Sequence, residues 1–82
     1  MISNKATDHA DITVDAQGLN CPLPILKAKK ALNSMQSGQT LLVLATDQGA
    51  ERDFNNFARQ TGNELIDQKQ NDGVWQFLLR RR

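Results

Sequence analysis

The sequence predicts an α/β fold of the α+β kind: a two-layer sandwich, β-α-β-α-β-β, with two helices on one face of a mixed four-stranded sheet. Three observations carry that expectation. The 82 residues, 39% of them apolar, suffice for one compact domain and no more. Two segments with apolar residues at helical spacing each sit beside a strand-like segment. The chain then ends in two strand-like runs separated by Asn71-Asp72-Gly73, a Gly-containing turn that makes the last two strands an antiparallel hairpin.

Residues 1–10 are polar and aperiodic, which predicts a flexible N-terminal tail holding the single histidine, His9. Residues 11–82 form the single domain. Ile12, Val14 and Ala16 alternate with polar residues as a half-buried strand requires. After the loop Gly18-Leu19-Asn20, Cys21-Pro22-Leu23-Pro24 opens a helix running to about Met35. Ile25, Ala28, Leu32 and Met35 fall on one face of it, and Gly38 is the stop signal. Thr40 to Thr46 is short and continuously apolar inside, which predicts a central strand. Asp47-Gln48-Gly49 turns the chain into a second helix. Ala50, Phe54, Phe57, Ala58 and Thr61 lie on one side of it, Arg52 and Arg59 give the other side a positive face, and Gly62 is a left-handed cap. Glu64 to Gln70 and Val74 to Arg81 are the hairpin strands, with Trp75, Phe77 and Leu79 supplying aromatic bulk to the core.

Composition narrows the function. Ten Lys+Arg against nine Asp+Glu leave a net charge of +1, too balanced to indicate nucleic-acid binding, although Lys27, Lys29 and Lys30 form one local positive patch and Arg80 to Arg82 another. One cysteine and one histidine exclude an internal disulfide and a four-ligand structural zinc site, so no metal is expected. The longest apolar run, Leu41 to Ala45, is far short of the roughly 20 residues that span a bilayer. The first ten residues lack the apolar run of a signal peptide. The expectation is a cytoplasmic protein without a membrane partner. A chain this short buries roughly 60 to 65% of its unfolded surface, so its chemistry is expected near the surface without a deep substrate cavity.

Cys21 is the one residue with a chemically pointed setting, because it stands where loop becomes helix, with prolines at the first and third helical positions. At that N-cap the sulfur is expected to be exposed, with the amides of Cys21 and Leu23 open to an anion. The helix dipole, with Lys27 one turn away, is expected to favour thiolate over a free thiol of pKa about 8.5. With no second cysteine and no nearby histidine, dithiol redox chemistry and a Cys-His hydrolase are unsupported, leaving a thiolate that accepts and passes on a group. Helical projection turns Leu23, Leu26 and Lys30 away from the core face. With Lys27 they make a small apolar docking patch with a basic rim for another protein.

Asp15-Ala16-Gln17-Gly18-Leu19-Asn20-Cys21-Pro22-Leu23-Pro24 resembles the Asp-x-x-Gly-x-x-Cys-Pro-x-Pro signature of the TusA-like, or SirA-like, sulfur-carrier family. The resemblance continues through Gly38 to Leu42, Ala45-Thr46-Asp47, Arg52-Asp53-Phe54 and Asp72-Gly73, spanning about residues 11–81. It implies the same β-α-β-α-β-β sandwich, and it marks Asp15, Gly18, Pro22 and Pro24 as motif residues. It also implies that Cys21 receives a persulfide from a cysteine desulfurase or rhodanese-like donor and relays it to an acceptor protein. The sulfur is then covalent cargo and no further cofactor is implied. The family serves tRNA thiolation, molybdenum-cofactor assembly or sulfur oxidation, and the signature does not separate these. A different class of function remains open, a small RNA- or protein-binding module. The two-layer fold resembles the C-terminal domain of a translation initiation factor, and Arg52, Arg59 and Arg80 to Arg82 would face the RNA.

Overall fold

The computed structural model describes residues 10–82, so the expected tail with His9 lies almost wholly outside the described residues. The elements are β1 (Ile12–Ala16), α1 (Leu23–Asn33), β2 (Thr40–Ala45), α2 (Ala50–Thr61), β3 (Glu64–Asn71) and β4 (Val74–Arg80), in the sheet order β1-β2-β4-β3. β1 runs parallel to β2, while β4 is antiparallel to both β2 and β3, giving the mixed sheet that the order of elements predicts.

The period of two in the strands decides which face is covered. Ala16, Leu41, Val43, Ala45, Phe77 and Leu79 lie on one sheet face and join Ala28 and Leu32 of α1 with Ala50, Phe54 and Phe57 of α2 in a single core. Both helices therefore pack on the same side. The aromatic centre of that core is Phe54, stacked on Phe77 with centroids 4.5 Å apart, while Trp75 stacks on the outer side of Phe77 at 5.5 Å. A bulge between Leu65 and Asp67 resets β3 so that Gln68 faces α2, where its Oε1 accepts a 2.9 Å hydrogen bond from Asn55. The hairpin closes through Asp72 and Gly73, at φ 57° and 82°. Positive φ at both positions is the turn that follows the strand twist, and glycine at the second makes it cheap.

Three boundary and surface expectations are corrected. α1 ends at Asn33 rather than near Met35, because the Ser34 and Met35 amides turn back onto Ala31 and Leu32. The exposed side of α2 is not positive, since Glu51 and Asp53 alternate with Arg52 and Arg59. Nor do the terminal arginines form a loose patch. Arg81 donates from Nε to the Leu32 carbonyl at the end of α1, its backbone pairs with Gly38 and Gln39, Arg80 bridges Glu64 at 3.1 Å, and the Arg82 amide bonds Asn63 Oδ1. Cations at the carbonyl end of a helix complement its dipole, which gives Arg81 a structural task.

Candidate functional site

The carboxyl ends of the two parallel strands, β1 and β2, stop level with each other at Ala16 and Ala45. Their following loops have nowhere to go but over the same edge, the position where open α/β sheets place ligands. In the first loop Asp15 Oδ1 accepts the Gln17 amide at 3.0 Å, and Gly18 turns at φ 81°, a conformation that strains any residue with a Cβ. The Gly18 amide then donates 2.9 Å to Thr46 Oγ1 in the second loop. One residue further along that loop, Asp47 accepts the Gly49 amide at 2.9 Å on Oδ2 and the Cys21 amide at 3.4 Å on Oδ1. Asp47 thus ties the cysteine loop to the start of α2.

Cys21 is exposed, as the sequence predicts, but it is not the helix cap. The Leu23 amide bonds the Asn20 carbonyl at 2.8 Å, adding a turn before the helix, so the N-cap is Pro22 and α1 begins at Leu23. The prolines accordingly occupy the cap and the second helical position. Pro22 is exposed and follows a cis peptide bond, whereas Pro24 is buried. The expected pair of open amides is also absent: those of Cys21 and Leu23 are both occupied, on Asp47 and Asn20. Lys27 does not reach toward the sulfur; its Nζ donates 3.2 Å to the Asp15 carbonyl.

The expected lean toward thiolate is reversed for a related reason. The Cys21 pKa is raised above the ordinary thiol value, first by a hydrogen bond to the Asp53 carboxylate, then by partial desolvation and by the charges of Asp53 and Asp47, with Arg52 pulling the other way. Two carboxylates close to the sulfur outweigh a dipole whose nearest amides are engaged or replaced by proline. Iodoacetamide labelling at about pH 8 is therefore expected to be slower than for a free cysteine peptide, rising only as the solution passes the ordinary thiol range. A labelling profile displaced to lower pH than the peptide's would contradict this charge arrangement.

The sulfur also borders a space that sequence reasoning left out. A shallow, open groove of about 190 Å³ runs between the helices, lined by Cys21, Pro22 and Ile25 from the α1 side and Asp53, Asn56, Phe57 and Gln60 from α2. It is a shallow surface groove, not a deep substrate cavity. Asp47 and Asp53 are the site residues that sequence reasoning did not single out, although both lie in stretches that carry the resemblance. On the outer side of α1, Leu23 and Leu26 are 47% and 51% exposed, and Lys27 and Lys30 are exposed beside them. The exposure of these side chains that helical projection predicts is therefore present.

Comparison with known proteins agrees with this architecture. The sequence pattern of the family described as "Sulfurtransferase TusA" matches residues 12–81. The chain is 58% identical over 71 residues to "Sulfur carrier protein TusA" of Allochromatium vinosum, covering 87% of this chain and 93% of that one. It is 57% identical over 67 residues to a putative sulfur carrier protein of Neisseria meningitidis, covering 82% and 90%. A crystal structure of a SirA-like protein from Desulfitobacterium hafniense superposes with a TM-score of 0.74 at 28% identity, covering 84% of this chain and 95% of that one. With its four-stranded mixed sheet, two helices and exposed cysteine before a proline-started helix, the chain belongs to the TusA family of sulfur carriers.

Proposed function

We propose that Cys21 bears the transferred sulfur, receiving it as a persulfide from a cysteine desulfurase or rhodanese-like donor and relaying it to an acceptor protein. The observation that carries this reading is the free, exposed Cys21 at the head of α1, beside two exposed leucines, in a chain of a sulfur-carrier family. The transfer needs no external oxidant or reductant. Cys21 Sγ attacks the outer sulfur of the donor persulfide, a new S–S bond forms on Cys21, the donor's S–S bond breaks, and the donor cysteine leaves as a thiol once protonated. An exposed sulfur suits this task, because partner enzymes bring their own positioning groups. The acceptor then serves tRNA thiolation, cofactor assembly or sulfur oxidation. The setting is the cytoplasm, where reducing conditions keep a lone thiol unpaired. Among the described residues no helix is long and apolar enough to cross a membrane. The RNA-binding alternative gains no support, since Arg81 is occupied on Leu32 and Arg80 on Glu64.

Partner contact is assigned to Leu23 and Leu26, rimmed by Lys27 and Lys30. Burying two leucines contributes about 2 to 4 kcal/mol at ~25 cal/mol per Å², while the lysines chiefly raise the encounter rate with an acidic partner and make it salt-sensitive. Incubation with a cysteine desulfurase and cysteine is expected to add one sulfur to Cys21 by mass spectrometry, released by reductant. Leu26→Asp is expected to cut that loading by about tenfold or more with an unchanged melting temperature, because the side chain is half exposed. Loading of Leu26→Asp at the full rate would remove Leu26 from the contact surface, and a wild-type chain that gained no sulfur would overturn the carrier reading.

A further inference from the structure

Asp47 and Asp53 stand close together at the head of the groove: a Cβ placed on Gly49 would meet Asp47 Oδ2 at 3.3 Å, Asp53 Oδ2 at 3.7 Å and Arg52 Nη2 at 3.8 Å. They are not equivalent. Both oxygens of Asp47 accept backbone amides, from Cys21 and Gly49. Among the described residues no amide or cation is bonded to the Asp53 carboxylate, and the one ion pair is Arg80 with Glu64. Asp53 also lines the groove together with Cys21, and its carboxylate is the first cause of the raised Cys21 pKa.

Sulfur transfer poses a proton problem at that point. The attacking group must lose a proton as its S–S bond forms, and the departing donor cysteine must gain one. Both events occur at Sγ, which borders the groove that Asp53 also lines. A carboxylate that lines the same groove as the thiol, from the adjacent helix, and has no bonded partner among the described residues is placed to take the proton at the first event and return it at the second.

We propose that Asp53 is the proton acceptor for Cys21 in the transfer step, taking the Sγ proton as Cys21 attacks the outer sulfur and passing it to the donor thiolate that departs. This rests on the carrier reading and adds a second residue to it. The sum is balanced: donor persulfide and Cys21 thiol become donor thiol and Cys21 persulfide, with Asp53 ionised before and after. The other charges near the sulfur do not fill the role. Asp47 is held by two amides, Arg52 is a cation, and Lys27 on α1 is held on the Asp15 carbonyl.

The competing roles are a plain charge that repels anions from the sulfur, and a first-turn acid that only complements the dipole of α2. The discriminating experiment uses a small donor, glutathione persulfide, so that loss of a protein interface cannot imitate loss of the base. Two rates are read across pH on the full chain: iodoacetamide alkylation and sulfur uptake. In Asp53→Asn the alkylation profile is expected to move to lower pH, with a several-fold faster rate near neutrality, while sulfur uptake at the same pH falls about tenfold or more. The two uptake rates should converge at high pH, where no proton remains to be moved, and Asp53→Glu should recover part of the neutral rate.

Faster uptake together with faster alkylation in Asp53→Asn would mean that Asp53 is only a repelling charge, and the proposal would be wrong. Unchanged profiles for both reactions would leave Asp53 with the helix dipole alone and would equally overturn it. A wild-type chain that takes no sulfur from either a desulfurase or the small donor would instead sink the carrier reading, while the alkylation profiles would still report whether Asp53 raises the pKa of the thiol.

Discussion

Cys21→Ser is expected to take up no sulfur from a desulfurase while melting at the wild-type temperature. Serine replaces one atom at an exposed position that contributes nothing to the core, so the fold has no reason to change. The chemistry has every reason to. A serine hydroxyl is far less acidic than a thiol and a much weaker nucleophile toward sulfur, and no other thiol in the sequence can substitute. Sulfur-35 uptake from labelled cysteine, with release by reductant, measures the loss directly. Any reductant-labile label on the Cys21→Ser chain would show that the sulfur resides elsewhere and would remove the basis for every step assigned to Sγ.

Most of the fold was legible because it is written in short-range periodicity. Ile12, Val14 and Ala16 alternate, Phe54 and Phe57 sit on one side of α2, and Asp72-Gly73 marks a two-residue turn; each signal lies within a few residues of its neighbour. Cap geometry was less legible. The pattern Cys-Pro-x-Pro looks like a cysteine cap, but the Asn20 carbonyl takes the Leu23 amide and shifts the helix start past Pro22, and nothing in the spacing of apolar residues encodes that bond. Arg81 shows the same limit. Three consecutive arginines resemble a solvated end, yet strand alternation sends their side chains in different directions and one of them reaches the last carbonyls of α1.

The site divided along the same line. Cys21 and the exposed leucines are carried by local sequence, through the loop-to-helix junction and the projection of α1. The two carboxylates that set the electrostatics come from the β2–α2 turn and from α2. They reach the sulfur only because parallel pairing ends β1 and β2 at the same level. The helix dipole and Lys27, the charges close to Cys21 in sequence, therefore do not set the sign of the thiol's shift, which the carboxylates from the neighbouring turn and helix decide.

Phe54→Ala is expected to have the largest effect on stability, lowering it by about 3 to 5 kcal/mol. Phe54 is fully buried, stacks on Phe77 at 4.5 Å with planes 17° apart, and meets Phe57 edge-on at 6.2 Å, so truncation opens a void between α2 and the sheet that its stiff neighbours cannot fill. For a domain of this size the loss corresponds to a fall in melting temperature on the order of 20 °C, and in urea to a lower midpoint with an unchanged slope. Trp75 provides the internal control. It also stacks on Phe77, at 5.5 Å, but is only partly buried, so Trp75→Ala should cost clearly less. The contrast bears on the site as well, since Phe54 follows Asp53 on α2 and anchors the helix that brings the carboxylate to Cys21. Phe54→Leu keeps much of the buried volume and should hold both the fold and the alkylation profile near wild type. If Phe54→Ala and Trp75→Ala lowered stability equally, the Phe54–Phe77 stack would not be the centre of the core, and α2 would have to be held over the groove by other contacts.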